Sequence, residues 1–227
     1  MKTHNKILLG GFIVLVIAIV TLMITIKAQY NKAVAEKKKM QTREEIELEA
    51  FNCLEAQGNI EIQWKASPYQ KVVAEGNKKY VQQLTQHVKD SCLILKQENP
   101  DLSNEAFVVH IHKDALRKIK LDDGSNIITT QEVIQPYLDI ELEGRSRAKL
   151  KGTIQSANIA CHEESIFRGE ELKIDQCNLS TTGESRAFVR VNNLLKAEAK
   201  GKSTVYYSGE PRNLQTNTSE EGSIREK

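Results

Sequence analysis

Gly144-Arg-Ser146-Arg-Ala148 returns down the chain as Glu163-Glu-Ser165-Ile-Phe167, Gly183-Glu-Ser185-Arg-Ala187, Gly201-Lys-Ser203-Thr-Val205 and Glu220-Glu-Gly222-Ser-Ile224. The anchors at 146, 165, 185, 203 and 222 are separated by 19, 20, 18 and 19 residues. A fixed period of this length marks a solenoid. Aligned on the anchors, the columns are apolar or small: Leu138, Ala157, Cys177, Leu195, Leu214 eight residues before; Ile140, Ile159, Leu179, Ala197, Thr216 six before. The column four before holds Leu142, Cys161, Thr181, Ala199 and Thr218, and the column two after holds Ala148, Phe167, Ala187, Val205 and Ile224. The positions between are mostly polar, as in Asp139, Glu141, Glu143 and Lys196, Glu198, Lys200. Alternation with period two is a strand with one buried face.

Each repeat therefore predicts two short strands joined at the Gly-x-Ser corner. One unit cannot close a core, but stacked units can, each strand pairing with its equivalent about 4.8 Å along the axis. Matched columns favour this parallel β-solenoid over a meander of antiparallel hairpins. The small anchors suit a tight corner. Glu220 to Lys227 is charged and is expected to close or cap the last coil.

Outside the repeats, Ile7 to Ile26 is an apolar run of the length that crosses a bilayer. It exceeds a secretory h-region, and Ile26-Lys27-Ala28 is a poor cleavage site, so an uncleaved single-pass signal anchor is expected over 1–28. Lys27, Lys32, Lys37, Lys38, Lys39 and Arg43 outnumber the basic residues before it, which by the positive-inside tendency would keep the remainder in the cytoplasm. Gln29 to Ala50 lacks Gly and Pro and is rich in Ala, Glu and Lys, predicting a polar helical stalk over 29–50. Its apolar positions make no sustained heptad.

Residues 51–121 read as a β-rich head continuous with the stack at 122–227. Strands are expected at Asn59 to Trp64, Lys71 to Glu75, Ser91 to Lys96 and Phe107 to His112. One helix is expected at Lys78 to His87, and the Asp122-Asp-Gly124 turn closes the head.

The 227 residues carry net charge +2, are 40% hydrophobic and only 5% aromatic. Near-neutral charge and few aromatics argue against nucleic acid as a partner. None of Cys53, Cys92, Cys161 and Cys177 forms a C-x-x-C pair, so no zinc or redox motif is indicated. Cys161 and Cys177 fall in inward columns and read as small buried hydrophobes. A Cys53–Cys92 bridge is open if the head is exported. His110-x-His112 has a metal-capable spacing without a third ligand, so no metal or cofactor is expected. Asp139, Glu141 and Glu143 share the outward face of one strand and read as solvation. A paired acid and base converging on a cleft, as polysaccharide hydrolysis needs, is not evident, and an enzyme is not expected.

The outward positions after the corner are more distinctive. One after the anchor stand Arg147, Ile166, Arg186, Thr204 and Ser223; three after stand Lys149, Arg168, Phe188, Tyr206 and Arg225. Stacked coils bring these into rows. Arg147, Lys149, Arg168, Arg186, Phe188 and Tyr206 are the candidate binding strip, since arginine and exposed aromatics are enriched in interaction surfaces. An anionic glycan, a lipid headgroup or an envelope protein would fit it. The competing reading is an ordinary mixed surface.

Phe51-Asn-Cys-Leu-Glu-Ala-Gln-Gly-Asn-Ile-Glu-Ile62, Val72-Val-Ala-Glu-Gly-Asn77, Val88-Lys-Asp-Ser-Cys-Leu-Ile-Leu95, the Gly-x-Ser corners and Tyr206-Tyr-Ser-Gly-Glu-Pro211 together resemble the head GIN domain family (DUF2807), whose members are called "putative auto-transporter adhesin". The resemblance covers about residues 51 to 225. It implies a β-solenoid-like cell-envelope protein of Bacteroidetes-type bacteria and brings no catalytic residues. The sequence departs from the family at Gly58-Asn59-Ile60, where the name-giving tripeptide is reordered, and at Glu163, where a corner glycine is usual. The resemblance favours export and opposes the flanking charges. The expected function is a membrane-anchored, extracytoplasmic, non-enzymatic envelope protein. The alternatives are a bactofilin-like scaffold whose solenoid polymerises and, behind it, a polysaccharide-active β-helix enzyme.

Overall fold

A computed structural model of the chain describes residues 19–32, 41–97, 107–219 and 221–227. Two compact units divide it, 1–41 and 42–227.

In the first unit, the helix α1 covers 19–32, with Ile19, Val20, Leu22, Met23, Ile24 and Ile26 exposed. Residues 7–18 of the expected anchor lie outside the described residues. No helix among the described residues is long and apolar enough to cross a membrane.

The second unit is mainly β and forms a parallel β-solenoid. Its repeating part is built from β10 (Val133–Leu142), β11 (Arg147–Cys161), β12 (Ile166–Thr181), β13 (Arg186–Ala199), β14 (Thr204–Ser208), β15 (Asn213–Thr218) and β16 (Ser223–Glu226). The columns read from the sequence are the register of the sheet. Leu138 pairs with Ala157, Ala157 with Cys177, Cys177 with Leu195 and Leu195 with Leu214. Ala148, Phe167, Ala187, Val205 and Ile224 pair in the same succession. The members up to Ala199 and Val205 are buried. Parallel in-register stacking is the reason: a side chain that fits the interior of one coil has its equivalent directly above it.

The two predicted strands of each repeat run on as one long strand, bent where the ladder slips. The β11–β12 register shifts between Lys149 and Lys151, and the β12–β13 register between Gly169 and Lys173 and again between Ile174 and Gln176. A first leg follows each corner and a second leg leads to the next. Four of the five corners are hydrogen-bonded turns, with the anchor amide donating to the carbonyl three residues back: Ser146 to Glu143 (3.2 Å), Ser165 to His162 (3.1 Å), Ser185 to Thr182 (3.4 Å) and Gly222 to Ser219 (3.1 Å). The first turn position is left-handed, with φ of 62° at Gly144, 73° at Gly183 and 68° at Gly201. Glycine is the natural occupant. Glu163 occupies the same position at φ 59° and bears the steric cost.

The head supplies β2 (Cys53–Gln57), β3 (Glu61–Lys65), β4 (Lys71–Asn77), β5 (Leu84–Lys89), β6 (Cys92–Gln97), β7 (Val108–His112), β8 (Lys118–Asp122) and β9 (Asn126–Thr129). It continues the stack, but not in chain order. β2 lies between β6 and β8, and β3 between β7 and β9. The chain makes one coil, drops to the coil below, then crosses over the first to start the third.

Two expectations are corrected. The helix expected at Lys78 to His87 is one turn, α2 (Lys78–Val81), capped by the Asn77 side chain accepting from the Lys79 amide. β5 follows at once, because its antiparallel ladder on β6 satisfies more backbone than a longer helix would. The helical stalk fails over its described C-terminal part, Gln41 to Ala50. Gln41–Ile46 is a strand, β1, beside β4, and residues 47–50 are extended. The free edge of β4 outweighs helix propensity. Arg43 lies 3.7 Å from Glu75, Glu45 pairs with Lys71, and Ile46 and Leu48 pack on the core. Residues 33–40 of the stalk lie outside the described residues.

At the other end, Ser223–Glu226 adds half a coil on β14 and does not cap the stack. Leu214, Thr216 and Thr218, which continue buried columns, are exposed.

Candidate binding face

The inward columns fix what points outward. Arg147 pairs with Ile166, Arg186, Thr204 and Ser223 in succession, and Lys149 with Arg168, Phe188, Tyr206 and Arg225. All six candidate strip residues therefore stand on one face in two adjacent rows. Arg147, Lys149, Arg168 and Arg186 are exposed, and Phe188 and Tyr206 half-buried.

Phe188 and Tyr206 are the centre of this face. Their rings lie 4.9 Å apart with an interplanar angle of 7°, a stack imposed by strand spacing. Two cations flank Phe188: the Arg168 guanidinium 5.7 Å and the Lys227 ammonium 5.4 Å from the ring centroid. Lys227 is held there by its amide, which donates to the Tyr207 carbonyl at 2.9 Å. Its ammonium also lies 3.8 Å from Glu170, and Lys149 lies 3.2 Å from Glu171, so these two charges are partly compensated. Arg147, Arg168, Arg186 and Arg225 form no ion pair among the described residues. The result is an aromatic ladder bordered by uncompensated guanidinium groups. Such groups recognise carboxylate, sulfate or phosphate in bidentate fashion, while rings stack on flat apolar surfaces.

A second outward feature was not singled out in the sequence. Tyr137 accepts from the Asn158 amide at 2.8 Å, and Asn158 accepts from the Asn178 amide at 2.9 Å. Beside this ladder run Ala160 and Ser180, short enough to leave a trough of about 510 Å³ across five stacked strands, β10 to β13 and β15. In the alignment on the anchors Asn158 and Asn178 stand seven residues before and Ala160 and Ser180 five before, while Tyr137 stands nine before. The signal was the coincidence of an amide column with a small-residue column.

The other candidates resolve into structure. Lys120 bridges Glu141 (3.0 Å) and Glu143 (3.1 Å), with Lys118 3.8 Å from Glu141. Burial pushes the Glu141 carboxyl up, but the hydrogen bond from Lys120 and the charges of Lys120 and Lys118 outweigh it and hold it below the usual range. The bonds to Glu141 and Glu143 raise Lys120. His110 faces Glu75 at 3.5 Å. Burial, then the charges of Lys65, His110, Lys71 and Arg43, lowers His112. The one metal-capable cluster among the described residues is Cys53, Glu55 and Cys92, and its two cysteines are joined as a disulfide. They face each other across β2 and β6. Cys161 and Cys177 are free and buried, and burial pushes both thiols up to about 12.

The model of the family described as "Putative auto-transporter adhesin, head GIN domain" matches residues 50–211. No curated protein matches the chain. Among solved structures, a "putative adhesin" of Bacteroides fragilis NCTC 9343 is similar at 18% identity and a TM-score of 0.66, over 82% of this chain and 97% of the other. A "putative adhesin" of Parabacteroides distasonis ATCC 8503 is similar at 17% identity and a TM-score of 0.51, over 82% and 97%. At these identities the likeness is one of fold.

Proposed function

We propose a binding role without catalysis for this chain, which belongs to the head GIN domain family (DUF2807) and carries its adhesin-like β-rich domain. The proposed ligand is an anionic glycan of the cell envelope, held on the ladder of Phe188 and Tyr206 by Arg147, Arg168, Arg186 and Arg225. The observation that carries this reading is the ring stack flanked by guanidinium groups without ion-pair partners. A polysaccharide repeats along its length, and so does a solenoid face. Each added coil offers another contact at the same spacing, so weak contacts multiply.

The soluble part is proposed to lie outside the cytoplasm, tethered through Ile7 to Ile26. The Cys53–Cys92 disulfide favours this side of the membrane, because such bonds persist in oxidising compartments and are rare in the cytosol. Adhesin-like relatives point to the cell envelope as well.

The test is the triple variant Arg147→Ser, Arg168→Ser, Arg186→Ser against an immobilised sulfated or uronic-acid glycan. Binding is expected to fall at least about 100-fold at low salt, three lost charge-assisted contacts each being worth about 1.5–3 kcal/mol. The melting temperature should stay put, because the three side chains are exposed. Binding equal to that of the unaltered protein removes the strip as the site.

A further inference from the structure

The sheet that carries the ring stack does not end at the repeats. Its strands follow one another as β1, β4, β7, β3, β9 and β11, and β12, β13 and β14 continue from β11. The row of Lys149, Arg168, Phe188 and Tyr206 therefore runs on into the head. Lys149 pairs with Ile128, Ile128 with Gln63, and Gln63 with His110. Two residues further along β3 and β7 stands a second row, in which His112 pairs with Lys65 on one side and Lys71 on the other. Paired residues share a face of the sheet. Ile62, Trp64, Val72, Val109 and Ile111, at the alternate positions, are buried. The three basic side chains thus stand together on the outside.

We propose that Lys65, His112 and Lys71 form a second contact for the anionic glycan, which lies along the sheet from the ring stack to the head. This rests on the proposed function and narrows its ligand to an extended chain. His112 on β7 is five strand steps from Phe188 on β13. At the usual strand spacing that is about 24 Å, more than a single sugar spans.

Three basic side chains in direct register repel one another, and their compensation comes from one side only. Glu45 of β1 pairs with Lys71, while Glu75 of β4 is shared between Arg43 at 3.7 Å and His110 at 3.5 Å. Lys65 is exposed and His112 half-buried, and neither forms an ion pair among the described residues. Burial first, and then the charges of Lys65, His110, Lys71 and Arg43, hold His112 below its ordinary value. A sulfate or carboxylate beside Lys65 supplies the anion this row lacks. On the way to the ring stack Gln63 and Ile128 add no charge. The carboxylate of Glu61 stands one row over, in line with Asn126 and Arg147.

The experiment follows the His112 resonance through a pH titration of the full chain, carrying isotope-labelled histidine, in detergent at about 0.1 M salt. His112→Gln assigns the resonance. The probes are a sulfated decasaccharide and the matching disaccharide at the same concentration. With the decasaccharide the His112 midpoint should rise by about 1 pH unit, and this chain should bind about tenfold more tightly below the midpoint than above it. The disaccharide should leave the midpoint in place, because neither contact alone holds it. Lys65→Ser, at an exposed position, should weaken the decasaccharide about tenfold. A decasaccharide that binds with the midpoint unmoved overturns this proposal and leaves the ring-stack reading standing, since a chain held there alone lies about two Debye lengths away. A midpoint raised equally by the disaccharide overturns the single span. A decasaccharide that does not bind removes both readings.

Discussion

The corner serines carry two jobs at residue scale. Ser125, Ser146, Ser165, Ser185 and Ser203 are fully buried, one per coil, pointing into the solenoid. A hydroxyl there needs a partner. Ser125 donates to the Gly58 carbonyl at 2.6 Å, Ser185 to the Cys161 carbonyl at 3.0 Å, and Ser203 to the Thr181 carbonyl at 3.1 Å. Each bond ties a corner to an earlier coil. Ser146 Oγ has no partner. The same substitution therefore has opposite consequences at two equivalent positions. Ser203→Ala should cost about 1 kcal/mol, through the lost bond and the Thr181 hydroxyl, now 2.9 Å from Ser203 Oγ, left with the Glu198 carbonyl at 3.3 Å. Ser146→Ala should be neutral or stabilise by up to about 1 kcal/mol, since it removes a buried unsatisfied hydroxyl and little volume. Denaturant midpoints at constant slope distinguish the two. Equal losses at both sites would mean that the serines matter only for their size.

At the scale of elements, the periodic part was legible and the aperiodic part was not. The register of β10 through β16 could be written down from the sequence because parallel coils translate one pattern without change, so every column is tested several times. Even Glu163, a poor corner residue, is carried by its column. The outward rows of the binding strip came with the same alignment, since fixing inward positions fixes the others. β1 was hidden because Gln41-Thr-Arg-Glu-Glu-Ile46 is a good helix sequence whose strand state depends on an edge contributed 25 to 31 residues later. The order of β2, β6 and β8 was hidden because no column links a coil that occurs once.

That aperiodic part contributes to the pH response of the sheet through His112. His112 on β7 stands opposite Lys71 of β4, with Lys65 on the neighbouring β3, His110 two residues away and Arg43 on β1. The carboxylates of Glu75 and Glu45 on the same patch already face Arg43, His110 and Lys71. Burial first, and these cations second, lower His112 in the folded chain below its ordinary value near 6.5. The unfolded chain then binds the proton more readily. Stability is full above about pH 6.5, falls as the pH drops towards the folded value, and falls no further through this group below it. His112→Gln should flatten that part of a melting-temperature profile between about pH 7 and 5. An unchanged acid limb would assign the loss to other groups.

For the whole molecule, the four cysteines report on the fold and test the proposed compartment. Cys53 and Cys92 close a span of 39 residues across the two lowest coils. In the chain-entropy account such a loop stabilises by about 4 kcal/mol. A small head with a non-sequential strand order gains from it, because the bond holds β2 against β6 when neither is covalently near the other. Cys161 and Cys177 belong to the interior, and their thiols, pushed up to about 12, hold almost no thiolate at neutral pH. Protein purified from an oxidising compartment and treated with a maleimide should therefore take up no label while native. Unfolded without reductant it should take up two labels, and unfolded after reduction four. Reduction alone should lower the unfolding midpoint while leaving the repeats folded. Four labels without reductant would remove the disulfide, and with it the strongest structural argument that the solenoid faces away from the cytoplasm. Rapid labelling of the native protein would instead mean that the coils around Cys161 and Cys177 open far more readily than their packed columns allow.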